Sequence, residues 1–86
     1  MPRETFGERL RRLRGERELT LSGLDRAAGL NGGTVQQFER LGREPRLSTL
    51  FRLSRALELP IEKLVAGLRE PEPAAQARPR SRDSQR

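Results

Sequence analysis

The 86 residues include 18 lysine or arginine and 12 aspartate or glutamate, no histidine and no cysteine, for a net charge of +6. A chain this short holds one domain with a modest core. The missing residue types exclude disulfides, Cys/His zinc sites, thiol nucleophiles and imidazole acid–base chemistry.

In chain order, residues 1–68 predict five short helices and no strand, an all-α fold. The first runs from about Thr5 to Arg17: Thr5 and Glu8 have capping-box spacing, and Phe6, Leu10 and Leu13 share a face. Thr20 is the expected cap of a second helix carrying Leu21, Leu24 and Ala28, with Gly29 placed to end it in a left-handed conformation. Asn31 is the expected cap of a third, over about residues 32–41, with Val35 and Phe38 inward and Gly42 closing it. Beyond Pro45, a fourth helix bears Leu47, Leu50, Phe51 and Leu57. A fifth, following Pro60, bears Ile61, Leu64, Val65 and Leu68. Residues 69–86 contain Pro71, Pro73 and Pro79 and no large apolar side chain, so a disordered tail is expected. Its Arg78-Pro79-Arg80-Ser81-Arg82 end could touch phosphates.

Charge type adds a hint about partners. Seventeen of the 18 cations are arginine, Lys63 being the other. The guanidinium fork suits phosphates and base edges, although a GC-rich genome would produce the same bias. No stretch is apolar enough to span a bilayer, and a chain without disulfides is expected in the cytoplasm.

The segment Thr20 to Leu41 is a short helix, a Gly29-Leu30-Asn31 turn and a second short helix, the helix-turn-helix pattern. Apolar periodicity alone would suit any helical hairpin. The wider run is more specific: Phe6 to Arg14, Leu19-Thr20, Leu24, Ala28 to Asn31, Thr34-Val35, Phe38-Glu39-Arg40, Pro45, Thr49-Leu50 and Ala56-Leu57. Together these residues resemble the Cro/C1-type (XRE) helix-turn-helix family across residues 5–68. The resemblance implies a compact five-helix, lambda-repressor-like domain that binds double-stranded DNA, usually as a dimer, without cofactor or small-molecule ligand, in transcriptional control.

Carried over residue by residue, the resemblance assigns Arg14 and Glu39 to an ion pair linking the first helix to the recognition helix. Base-contact candidates are Gly33, Thr34, Gln36 and Gln37. Gln37 leads them, because glutamine can bridge N6 and N7 of adenine. Helix amino termini favour anions, so Thr20, Leu21, Asn31 and Gly32 are phosphate-contact candidates, joined by Arg40, Arg43 and Arg46.

Five residues depart from the family pattern. Leu21 stands where glutamine is frequent, and Leu41 takes a usual glycine slot. Asp25 replaces a small apolar residue between the two motif helices, so its carboxylate needs a partner, Thr34 or a nearby arginine. Gly32 and Gly33 occupy what should be the first turn of the recognition helix, each weakening it by about 1 kcal/mol relative to alanine. These changes lie on the face expected to meet DNA, and they favour binding through phosphates with poor sequence discrimination.

Two functions therefore compete. The leading one is a DNA-binding regulator, with the fifth helix available for pairing two copies. The other is a protein-interaction module, an anti-repressor or accessory factor, with Leu21, Gly32 and Gly33 forming a docking surface. An enzyme has little support, because the acidic residues are scattered and no nucleophile–base set converges.

Overall fold

A reciprocal cap opens the first helix. In the computed structural model, which describes residues 4–69, the Glu8 amide donates to Thr5 Oγ1 at 3.1 Å and the Thr5 amide donates to Glu8 Oε1 at 3.0 Å. This satisfies two otherwise free amides and starts α1 at Phe6–Glu16. Four further helices follow: α2 Leu21–Ala27, α3 Thr34–Leu41, α4 Leu47–Leu57 and α5 Ile61–Val65. The helices are all short, so packing of one face of each, rather than helical propensity, holds them.

That face is aliphatic. Leu10, Leu24, Val35, Leu53, Leu57 and Leu64 are wholly buried, one or two from each helix, with Leu13, Ala28 and Phe38 beside them. Each such side chain stabilises the fold by about 2 kcal/mol through removal of apolar surface from water. Phe6 on α1 meets Phe38 on α3 edge to face, the ring centroids 5.8 Å apart. No described helix is long and apolar enough to cross a membrane.

α1 is the hub, packing against both α3 and α5. At the α5 end, the Arg9 guanidinium donates to the Lys63 and Ala66 carbonyl oxygens, both at 2.8 Å, and its Nε donates to Glu4 at 2.6 Å. It thereby satisfies carbonyls that end α5 and places positive charge at the negative end of that helix. Glu4 also accepts from Arg12 at 2.9 and 3.0 Å, and these Arg12 bonds, followed by those from Arg9, lower its pKa to about 2. The Arg69 amide closes the loop onto the Glu4 carbonyl at 2.8 Å.

The expectation for α3 requires correction. It spans Thr34–Leu41, not residues 32–41, and Asn31 is not its cap. The N-cap position is Gly33, whose φ of +89° a residue with a Cβ would adopt only with strain. Gly32 and Gly33 therefore lie outside the helix, and the helix-weakening cost assigned to them does not apply. At the other end Gly42, with φ +71°, closes α3 after Leu41 as expected. The proposed tail falls almost wholly outside the described residues, Arg78 to Arg82 included.

Candidate nucleic-acid interface

The site is built around α3, and its inner side is determined first. Val35 and Phe38 face the core. Gln36 and Gln37 are exposed, as is Arg40 in the last turn, while Thr34 is half-buried. An eight-residue helix with this division presents one free polar side, the side that can enter a groove.

Two carboxylates hold this helix. At its carboxyl end, Glu39 accepts two bonds from Arg14, from Nε at 2.8 Å and from the terminal nitrogen at 3.0 Å, and Arg14 also donates to the Leu19 carbonyl at 2.8 Å. The Glu39 side chain is 5% exposed and that of Arg14 is 18% exposed. Hydrogen bonding to Glu39 raises the Arg14 pKa, and outweighs burial, which acts the other way. Such a bidentate pair orients helix against helix because both planes must align.

At its amino end, the partner of Asp25 is neither Thr34 nor an arginine. One carboxylate oxygen accepts from the Gly33 amide at 3.0 Å and the other from the Val35 amide at 2.9 Å. Asp25, 4% exposed, is a helix cap supplied from α2 to a helix whose own cap residue has no side chain. The Thr34 amide meanwhile donates to the Asn31 carbonyl at 3.1 Å, and the Gly33 carbonyl accepts from Gln37. Gly33, Thr34 and Val35 thus have partners within the chain, and the amino end of α3 is not the open anion site expected from the sequence. Gly33 has no side chain to offer a base, and both its backbone groups are engaged.

α2 begins more simply. Thr20 accepts from the Gly23 amide at 2.9 Å, its hydroxyl acting on its own helix. Leu21, half-buried, packs against the core instead of standing free. Arg43 is exposed in the loop after α3, and Arg46 is exposed at the N-cap position of α4.

Two residues with a role here went unmarked in the sequence. A Cβ on Gly7 would lie 2.3 Å from the Phe38 carbonyl oxygen and 3.1 Å from the Glu39 Cα, so the α1 backbone reaches α3 only because position 7 is glycine. Arg52, exposed on α4, extends to 3.5 Å from the Gly29 carbonyl and so stands beside the turn between α2 and α3. No local pattern marks either residue, because each acquires its neighbour from a different helix.

Comparison with known proteins places this geometry. A helix-turn-helix family matches residues 10–64. The HTH-type transcriptional repressor RghR of Bacillus subtilis (strain 168) is 38% identical over 63 residues, covering 72% of this chain and 47% of the repressor, so the chain spans about half of that relative's length. Among solved structures, the restriction-modification controller protein C.AhdI from Aeromonas hydrophila superposes with a TM-score of 0.66 at 33% identity, covering 70% of this chain and 91% of its own. The P22 c2 repressor in complex with a synthetic operator superposes with a TM-score of 0.67 at 30% identity, over 74% of this chain and 97% of its own. Because the family match runs from Leu10 in α1 to Leu64 in α5, and so takes in the whole helix-turn-helix, the chain belongs to the Cro/C1-type (XRE) helix-turn-helix family.

Proposed function

We propose that this protein regulates transcription by docking α3 in the major groove of duplex DNA, with Gln37 the principal base reader and Thr34 and Gln36 beside it. The carrying observation is the division of α3: Gln36 and Gln37 exposed on a helix whose other side is buried and whose Glu39 is tied to α1. Thr20 and Leu21 at the start of α2 approach the phosphates through the backbone, and Asn31 and Gly32 do so as exposed turn residues ahead of the capped end of α3. Arg40, Arg43 and Arg46 supply cations there, and Arg52 joins them beside the Gly29 turn. Binding then falls steeply with salt, as phosphate neutralisation releases counterions. Such a protein works in the cytoplasm on the nucleoid and carries out no catalysis of its own.

Selection of bound sites from a random duplex pool tests this, with the unaltered protein and with Gln37→Ala. A recovered motif that loses one or two base positions in the variant is expected. A motif identical in both would overturn the assignment to Gln37, and failure to retain any duplex at low salt would overturn DNA binding itself.

A specific observation favours a second role in protein contact. Leu41, Leu47 and Phe51 are 68%, 63% and 50% exposed, Leu47 and Phe51 lying one turn apart on α4. Pairing of two copies through α5 has less to work with. Leu64 is wholly buried, Ile61 packs on the core and Leu68 is half-buried, leaving Val65 exposed. Sedimentation of Val65→Asp and Phe51→Asp against the unaltered chain decides whether either helix holds a second copy.

A further inference from the structure

The Asp25 carboxylate is buried, as is that of Glu39, but among the described residues no cation pairs with Asp25. Burying a carboxylate is costly unless charge-assisted hydrogen bonds replace its water, and here two backbone amides do so. Those amides belong to the residues that lead α3. With φ of +89° at Gly33, the backbone turns its donors toward α2 instead of toward solvent. The negative charge also sits against the positive end of the α3 dipole and offsets it. α3 is consequently clamped at both ends by carboxylates, Asp25 from α2 and its own Glu39 onto α1, with Gln36 and Gln37 projecting between.

We propose that Asp25 is a positioning residue for base discrimination: by capping α3 from the neighbouring helix it sets the angle at which Gln36 and Gln37 enter the groove, and it occupies amides that would otherwise attract a backbone phosphate indiscriminately. This rests on the DNA-binding reading above. Base-edge hydrogen bonds demand placement within a fraction of an ångström, whereas phosphate attraction tolerates displacement. Loss of the clamp therefore lowers affinity for a preferred site and leaves affinity for unrelated duplex unchanged or increased. Arginine contacts from the loop after α3 and from α4 do not depend on it.

The test uses Asp25→Asn, which keeps one acceptor oxygen and replaces the other with an amide that cannot accept, and Asp25→Ala, which removes both. Leu59→Ala, a half-buried side chain packed on the core away from α3, serves as a control for general loss of stability. Hydrogen exchange of the Gly33 and Val35 amides, measured without DNA, is expected to accelerate about tenfold in the Asp25 variants and not selectively in the control. The ratio of affinities for a selected site and a scrambled duplex, measured at two salt concentrations, is expected to fall about tenfold in the Asp25 variants and to hold in Leu59→Ala. Unchanged exchange at Gly33 and Val35 overturns the capping role. Equal loss on both duplexes overturns the positioning role and leaves Asp25 a stability residue. If the unaltered protein binds no duplex at low salt, the DNA reading fails and discrimination by Asp25 fails with it; if it binds all duplexes equally, discrimination by Asp25 alone fails; in both cases the exchange measurement still decides the cap.

Discussion

The two helices of the motif begin in opposite ways. α2 starts from Thr20, whose hydroxyl bonds an amide three residues ahead. α3 starts from Gly33, which has no side chain, and takes its cap from Asp25, eight and ten residues back and on another helix. A cap within one turn survives changes elsewhere in the fold, whereas one supplied across helices exists only while the two helices keep their angle. The second arrangement makes the start of α3 a reporter of tertiary geometry. It also means that the position of α3 is imposed by its neighbours and not by its own sequence.

Breaking the contacts that place α3 is expected to do more damage than breaking the local cap of α2. Gly7→Ala should be the most severe, at about 3 kcal/mol in urea unfolding, because the new methyl meets backbone atoms of α3 that no rotamer change can move. Arg14→Ala should follow at about 2–3 kcal/mol, since it leaves the buried Glu39 carboxylate without its partner. In the same assay Arg14→Lys should recover less than half, because an ammonium cannot reproduce the planar two-point contact. The comparison of caps is sharpest in a matched pair. Asp25→Ala should cost about 2 kcal/mol by leaving the buried Val35 amide and the Gly33 amide unpaired. Thr20→Ala should cost about 1 kcal/mol, its amide being open to water. Equal losses for the two substitutions would show that the borrowed cap has no special weight.

The smallest effect concerns pH and lies far from α3. The Glu4 carboxyl is held at about 2, below its ordinary value of 4.5, by the Arg12 and Arg9 guanidinia. The folded form binds the proton less readily than the unfolded chain, so the stabilisation is fully present above pH 4.5 and is lost as pH falls from there through about 2. Glu4→Gln should flatten that part of an acid unfolding curve while leaving stability lower at neutral pH. Solvent reaches this pair, so the change is modest and diminishes in salt.

Local signals were readable from residue order alone. The Thr5–Glu8 capping box, the Thr20 cap, the Gly42 terminus and the inward faces of α1, α2 and α3 depend on spacings within a turn or two, and each is present in the structure. The stripes expected for the last two helices are only partly right: Leu47, Phe51 and Val65 are exposed, and Leu53 takes the core place on α4, because the packing of α4 on α2 and α5 sets which side turns inward. The resemblance to a known family named Arg14 and Glu39 as partners across helices, and the two side chains do meet. Asp25 stands out in the sequence as a charge at an apolar position, but residue order points to side chains as its partners. Nothing in the local pattern shows that a glycine-rich turn will swing backbone amides onto α2. Residue order puts the start of α3 two residues early for the same reason, since Asn31 has the chemistry of a cap but Gly33 has the geometry of one.

Residue order determined what is local: an all-helical chain, the limits of most helices, the apolar stripes of the first three and the excess of arginine. Tertiary structure alone decided where α3 begins, which groups hold it, why position 7 is glycine, and that Arg52 stands beside the motif's turn. The physical reason is range. Capping and amphipathicity act within one or two helical turns, whereas the donors satisfied by Asp25 and the backbone that Gly7 admits come within reach only after separate helices have packed.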